Sequence, residues 1–350
     1  MKKRNEVLDI VKAAAAFCVV FLHFSFPGGL GRIVFSVSRF AVPMFFAVSG
    51  FFYNKKDKSA QLASTGRKAR HILLLIFISE GLAYFNYLSD AVLDAKTFRF
   101  SMLTGIFTER AALYKEAMWR LISFTPLFNA TGWFLVQLFL VYLIYGFITK
   151  RNGYKPAGII ISVCFGVGFL LTRLCGIIKF ELPNYTDYFI LFMGLPFFAF
   201  GYYLKDAIPK YNLAEKLNGA VLEGMIAAGI VLSIGESFVF RDVHFYTGSV
   251  LLSFTFFVIG EKYSEKSFAS RLVKTLVYIG SNLTLYIYII HPAVGSLLEK
   301  AAGRLHFSGA SAEMQKYIFP LAVCAVSVVV SWAVFSIVKA VRSRLTLERG

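Results

Sequence analysis

Ten stretches of this sequence stay apolar for roughly the 17–25 residues that carry a helix across a bilayer, and no other feature constrains the fold as strongly. They fall at about 8–28, 33–53, 71–93, 130–149, 156–175, 185–204, 217–239, 243–261, 275–298 and 318–341. A soluble core has no room for so many, because each would leave a long apolar face in water. Composition agrees: 57% of the 350 residues are apolar and 16% charged, against about 45–50% and 25% in soluble domains. The expected fold is all-α, a polytopic membrane bundle of about ten transmembrane helices, with residues 1–350 forming a single domain. A disordered chain, a disulfide-rich scaffold and a nucleic-acid-binding domain are excluded, despite a net charge of +17.

The placement of that charge matters more than its sum, since positive loops resist translocation. With the N-terminus inside, 23 Lys and Arg fall on the cytoplasmic side and 12 outside, and every inner segment holds at least three. The expected topology is N-in and C-in. Between the third and fourth runs, Ser101–Phe124 mixes apolar residues with Glu109, Arg110, Lys115, Glu116 and Arg120, which suits an amphipathic external segment over about 95–128 lying on the membrane. MKKR leads into an apolar run interrupted by Asp9 and Lys12 with no small-residue cleavage site after it, so no cleavable signal peptide is expected. Cys18, Cys164, Cys175 and Cys324 show no metal-ligand spacing and read as buried thiols; no metal is expected.

Ionisable groups within membrane spans cost free energy and are candidates for function. Here they are Asp9, Lys12, His23, Arg39, Glu80, Glu236 and His291. Lys12 and His23 are eleven residues apart, three helical turns plus roughly 20°, and share one face with Asp9. Ala13–Ala16 beside them form a smooth surface for another helix or a ligand chain. Counting the rise per residue puts His23 about 22 Å above the inner boundary and Arg39 about 9 Å below the outer one, so the two share a level. Glu236, His291, Trp133 and Gln137 come near the outer ends of their spans. Plainer readings stand beside these. A lone membrane His is often structural, Arg39 and Lys12 can snorkel to headgroups, His291 precedes Pro292 and can satisfy backbone freed at a kink, and Arg67, Lys68 and Arg70 are also a topogenic anchor.

These residues occur in an order that resembles the membrane acyltransferase 3 family. The carriers are NEVLDIVKAAAAFCVVFLHF, where Lys12, ten residues and His23 look like the family's basic-x10-His motif, then RFAVPMFFAVSGFF, RKARHI, GWFL, LPFFAFGYYL and SNLTLYIYIIHP. The first basic position is Lys, a point charge where the commoner Arg offers a fork. The N-terminal signature is also similar to the membrane half of vancomycin-resistance serine racemases. The resemblance implies an O-acyltransferase, with acetyl the expected group, moving an acyl group from cytoplasmic acyl-CoA to a hydroxyl of a cell-surface carbohydrate or related small acceptor. Lys12, Arg67, Lys68 and Arg70 would attract the CoA phosphates, and the pantetheine arm would thread along the Ala-rich face. His23 would be the general base, Arg39 would stabilise the oxyanion, and Glu236 would orient His23 or bind the acceptor. Trp133, Gln137, Tyr286 and His291 are expected to bind the acceptor. The implied partners are acyl-CoA, a hydroxyl acceptor and the lipid bilayer of the cell membrane. A transporter of a small polar molecule or wall precursor is the alternative, and a non-catalytic subunit of polysaccharide export a third reading. A transporter should show paired broken helices, and no pair of Gly/Pro-interrupted segments stands out.

Overall fold

The computed structural model describes residues 4–55, 57–116, 126–178, 190–240, 243, 245–304 and 309–347. Every regular element among them is helical. The chain divides into two compact units, one of residues 1–42, 211–237 and 245–350, the other of residues 43–210 and 238–244.

The first unit is organised around α1 (Glu6–His23), which packs against α2 (Gly28–Ser38), α10 (Thr247–Lys262), α11 (Arg271–Asn282), α12 (Thr284–Gly303) and α13 (Gly309–Leu347). α9 (Gly219–Val239) completes the unit, after a single turn at Leu213–Lys216. The second unit contains α3 (Ala41–Tyr53) from Pro43 onward, α4 (Lys58–Ala95), α5 (Ser101–Glu116), α6 (Trp133–Arg151), α7 (Tyr154–Ile177) and α8 (Gly194–Lys210). In its centre the Tyr145 and Phe198 rings lie 4.5 Å apart, and the Phe46 and Phe134 rings 4.7 Å apart. α3 and α8 cross backbone to backbone. A Cβ on Gly50 would sit 1.9 Å from the Phe198 carbonyl oxygen, and one on Gly201 would sit 1.8 Å from that of Ala47.

Among the described residues, six helices are long and apolar enough to cross a membrane, namely Gly28–Tyr53, Lys58–Leu93, Trp133–Arg151, Tyr154–Ile177, Gly219–Val239 and Ser311–Val341, with a bent pair as a seventh. Their outer faces are apolar where they meet no protein; α7 exposes Ile159, Ile160, Val163, Val167, Leu170 and Leu174. Faces of that size belong in lipid, and the chain is a multi-pass membrane protein. The remaining apolar runs form shorter or interrupted helices. α10 has 16 residues, about 24 Å of helix against a core about 30 Å thick. α1 has 18 residues and carries Glu6, Asp9 and Lys12.

Three boundaries differ from expectation. The run 275–298 is not one straight span: α11 and α12 meet at Leu283 with a bend of 85°. The run 33–53 falls within the single apolar span Gly28–Tyr53, which a turn at Arg39–Phe40 interrupts between α2 and α3. The basic segment Arg67–Arg70 is not a loop, because α4 already starts at Lys58, where the Asp57 carboxylate accepts hydrogen bonds from the Ser59 and Ala60 N–H groups at 3.0 Å each. In the segment expected to be external, α5 packs on α4 through Tyr84, whose hydroxyl donates to the Leu103 carbonyl at 3.0 Å, and through Arg110 over the Tyr87 ring at 3.9 Å. The remainder of that segment, 117–125, lies outside the described residues.

Each unit gathers its expected cytoplasmic junctions at one end. In the first, Asn5 donates to the Gly260 carbonyl at 2.8 Å, Phe268 N–H donates to Glu6, and Lys262 donates to the Ala214 and Leu217 carbonyls. In the second, Lys58 donates to Asn152, Asn54 donates to Asp206, and Lys205 donates to the Asn54 carbonyl.

Candidate active site

The site is built on α1. Asn5 caps its N-terminus by accepting from Leu8 N–H at 3.0 Å. Glu6 and Asp9 in the first turn complement the positive end of the helix dipole. Asp9 is buried and binds Lys12 at 2.6 Å, one turn on, and also the Arg4 guanidinium. Two cations thus share one carboxylate, so the charge offered by Lys12 is partly balanced.

Ala13, Ala15 and Ala16 are covered by protein, and the Gly280 backbone of α11 approaches Asp9 and Ala13 so closely that no Cβ fits between them. Of the two occupants expected for this smooth surface, the structure supplies a helix. Ala14 alone of the four is exposed.

α1 ends at His23, with the Phe24 N–H closing the last turn on the Val20 carbonyl at 2.8 Å. After Pro27 the chain turns through Gly28, whose φ of +62° is a left-handed conformation that glycine adopts without strain. α2 then runs to Ser38, and Arg39 follows at its C-terminus with the guanidinium 4.4 Å from the Phe35 ring. Arg39 lies close enough for its charge to act on the His23 ring.

From α12 comes His291. It is fully buried, its ring centroid 5.2 Å from that of His23, with the planes 34° apart. Its Nδ1 is 3.0 Å from the Ile287 carbonyl oxygen, so this nitrogen carries the proton and donates. Pro292, the next residue, has no N–H and frees the Tyr288 carbonyl, which also contacts the His291 ring. The structure therefore brings the rings of His23 and His291 together, with Arg39 near enough for its charge to act on His23, while Lys12 and Asp9 lie toward the other end of α1. His23 retains accessible surface; His291 does not. A cavity of about 560 Å³ opens beside the end of α1, bordered by Ser25, Glu299, Gln315, Lys316 and Phe319.

The other expected site residues have definite surroundings. Both carboxylate oxygens of Glu236 accept from Thr247 N–H, at 3.1 and 3.0 Å, which caps the N-terminus of α10. The Tyr286 ring packs edge-on against Phe335 at 5.8 Å. In the second unit, Arg67 and Arg70 are exposed, whereas Lys68 turns inward and donates to the Tyr142 hydroxyl at 3.0 Å. Trp133 is half-buried at the first position of α6, and Gln137 is fully buried against the backbone at Gly194. Glu80, a candidate by its place in a span, accepts from the Phe128 and Asn129 N–H groups at 2.9 and 2.8 Å and so fixes the entry to α6.

No spacing in the sequence predicts the contact of His23 with His291; the one signal for it is that both fall near the outer ends of their helices.

A family model described as an acyltransferase domain matches residues 5–336, nearly the whole chain. The chain belongs to the membrane acyltransferase 3 family and is an acyltransferase acting on groups other than aminoacyl groups. No curated protein and no solved structure matches it.

Proposed function

We propose that this protein is an O-acyltransferase of the cell membrane that takes an acyl group, acetyl in the first instance, from cytoplasmic acyl-CoA. The acceptor is a hydroxyl of a cell-surface carbohydrate or related small molecule. The observation that carries this reading is the grouping of accessible His23 with Arg39 and buried His291 in a member of an acyltransferase family. A ten-span, N-in and C-in arrangement belongs to the proposal, supported by the 23-to-12 charge asymmetry and by the clustering of inner junctions within each unit. The shorter helices then cross where the bilayer thins around them.

In the proposed reaction one His23 ring nitrogen takes the proton of the acceptor hydroxyl as its oxygen attacks the thioester carbonyl carbon. Arg39 stabilises the negative charge that develops on the carbonyl oxygen. Collapse breaks the carbon–sulfur bond, and the CoA thiolate leaves with the proton held by His23. Arg67 and Arg70, exposed on α4, are assigned to attraction of the CoA phosphates, as are Lys68 beside them and, in the first unit, Lys12. Trp133 and Gln137 in the second unit and Tyr286 in the first are assigned to the acceptor, and the cavity bordered by Ser25, beyond the end of α1, offers room for a polar molecule. Glu236 acts from its capping position at α10.

The bend at Leu283 is a feature that the transporter alternative would use, but family membership favours acyl transfer. The test is His23→Gln in purified, reconstituted protein. Loss of a general base should lower transfer by about 10²–10⁴-fold, while insertion is unaffected because removing a titratable group from a span eases it. Wild-type transfer by His23→Gln would remove His23 from the mechanism.

A further inference from the structure

His291 has one structural task, and it occupies only one of its two nitrogens. Nδ1 donates to the Ile287 carbonyl. With the proton there, Nε2 of the neutral ring is a bare acceptor. Among the described residues this buried atom has no hydrogen-bond partner. A kink-satisfying role does not account for it, because a buried acceptor left unmet is a standing cost that a fold normally avoids.

The rings around His291 are those of His23, Phe24 and Tyr288, at centroid distances of 5.2, 6.3 and 6.0 Å. Phe24 has no polar hydrogen. His23 is the nearest, it is accessible and therefore able to rotate, and a separation of 5.2 Å is what two imidazoles need for an edge-to-edge N–H···N bond of ordinary length.

We infer that His291 is a positioning residue: its Nε2 accepts a hydrogen bond from one ring nitrogen of His23 and so fixes which His23 nitrogen keeps the lone pair that takes the acceptor's proton. The inference rests on the general-base reading of His23. The Ile287 carbonyl holds the tautomer of His291, and His291 holds the tautomer of His23, a relay of orientation from the backbone of α12. Hydrogen bonding of one imidazole nitrogen determines the state of the other in the same way wherever histidine works as a base.

The experiment uses full-length protein in bilayers with two readouts. The first needs no activity: ¹⁵N spectra of histidine-labelled protein, with His23→Gln and His291→Gln used to assign the signals. Wild type should show His23 as a single neutral tautomer, and His291→Phe, which fills the space without an acceptor, should show His23 as a mixture. The second is acyl transfer. His291→Phe should lower kcat by about tenfold to a hundredfold with KM for both substrates unchanged, the usual effect of losing the partner that orients an imidazole. His291→Gln, which keeps an acceptor oxygen near the Nε2 position, should recover most of it, and Tyr288→Phe should behave as wild type. A tautomer mixture at His23 in the wild type, or wild-type kcat in His291→Phe, overturns the inference. So does Tyr288→Phe reproducing the loss. If the wild type shows one tautomer but transfers no acyl group, the relay stands and the function proposed above fails.

Discussion

Replacing Gly280 by alanine adds a single methyl group where the backbones of α1 and α11 meet. That carbon would lie 1.7 Å from the Asp9 carbonyl oxygen, 2.6 Å from the Asp9 carbonyl carbon and 3.0 Å from the Ala13 nitrogen. All three are backbone atoms, so no rotamer change relieves the overlap. Ordinary contact begins near 3.4 Å, and α1 and α11 must therefore move apart by about 1.7 Å. Overpacking of this kind costs typically about 1–3 kcal/mol and occasionally more. The better helix propensity of alanine offsets at most about 1 kcal/mol of it. A net loss of about 2 kcal/mol is expected, and because His23 rides on α1, transfer should fall by about 100-fold, the effect of a displacement near 1 Å. Thermal unfolding in one detergent, with Gly224→Ala as the control, measures this. Gly224 lies in α9 with nothing within 4 Å of its added Cβ, and alanine there should be neutral or stabilising by up to about 1 kcal/mol. Equal melting temperatures for the two variants would refute the packing argument.

Two further outcomes are expected. Arg67→Ala with Arg70→Ala should weaken acyl-CoA binding measured by calorimetry, while stability stays within about 0.5 kcal/mol because both side chains are exposed; unchanged affinity would return the pair to a topogenic role. The Asp57 carboxylate is held below its usual range by hydrogen bonds from the Ser59 hydroxyl and from the Ala60 and Ser59 N–H groups. Its folded value lies below its unfolded one, so its contribution is complete at neutral pH and disappears as pH falls through the folded value; Asp57→Ala should accordingly melt lower than wild type at pH 7, and the gap should close in acid.

What the sequence revealed and what it concealed divide along physical lines. The apolar runs declared a helical membrane protein because spanning length and low charge are local properties. The Asp9–Lys12 pair was within reach too, since a spacing of three places both side chains on one helix face. The breaks at Arg39–Phe40 and Leu283 were not, because apolar residues flank both and a hydropathy average runs straight through them. Arg67–Arg70 read as a loop for the opposite reason: charge masked a helix start whose capping residue, Asp57, stood in plain view. Glu80 and Glu236 were noticed as costly carboxylates, but their partners are backbone N–H groups at Phe128, Asn129 and Thr247, which carry no residue signature. The meeting of His23 with His291 is tertiary, between residues far apart in sequence, and no spacing rule reaches it.

Acyl transfer itself is tested most directly with inside-out membrane vesicles supplied with acetyl-CoA carrying a labelled acetyl group on their outer, cytoplasmic face. With wild-type protein, label should pass into an alkali-labile ester of an envelope carbohydrate as free CoA appears in equal amount, and vesicles carrying His23→Gln should do neither. Movement of an intact solute across the membrane with no consumption of acetyl-CoA would contradict the account and establish the protein as a transporter.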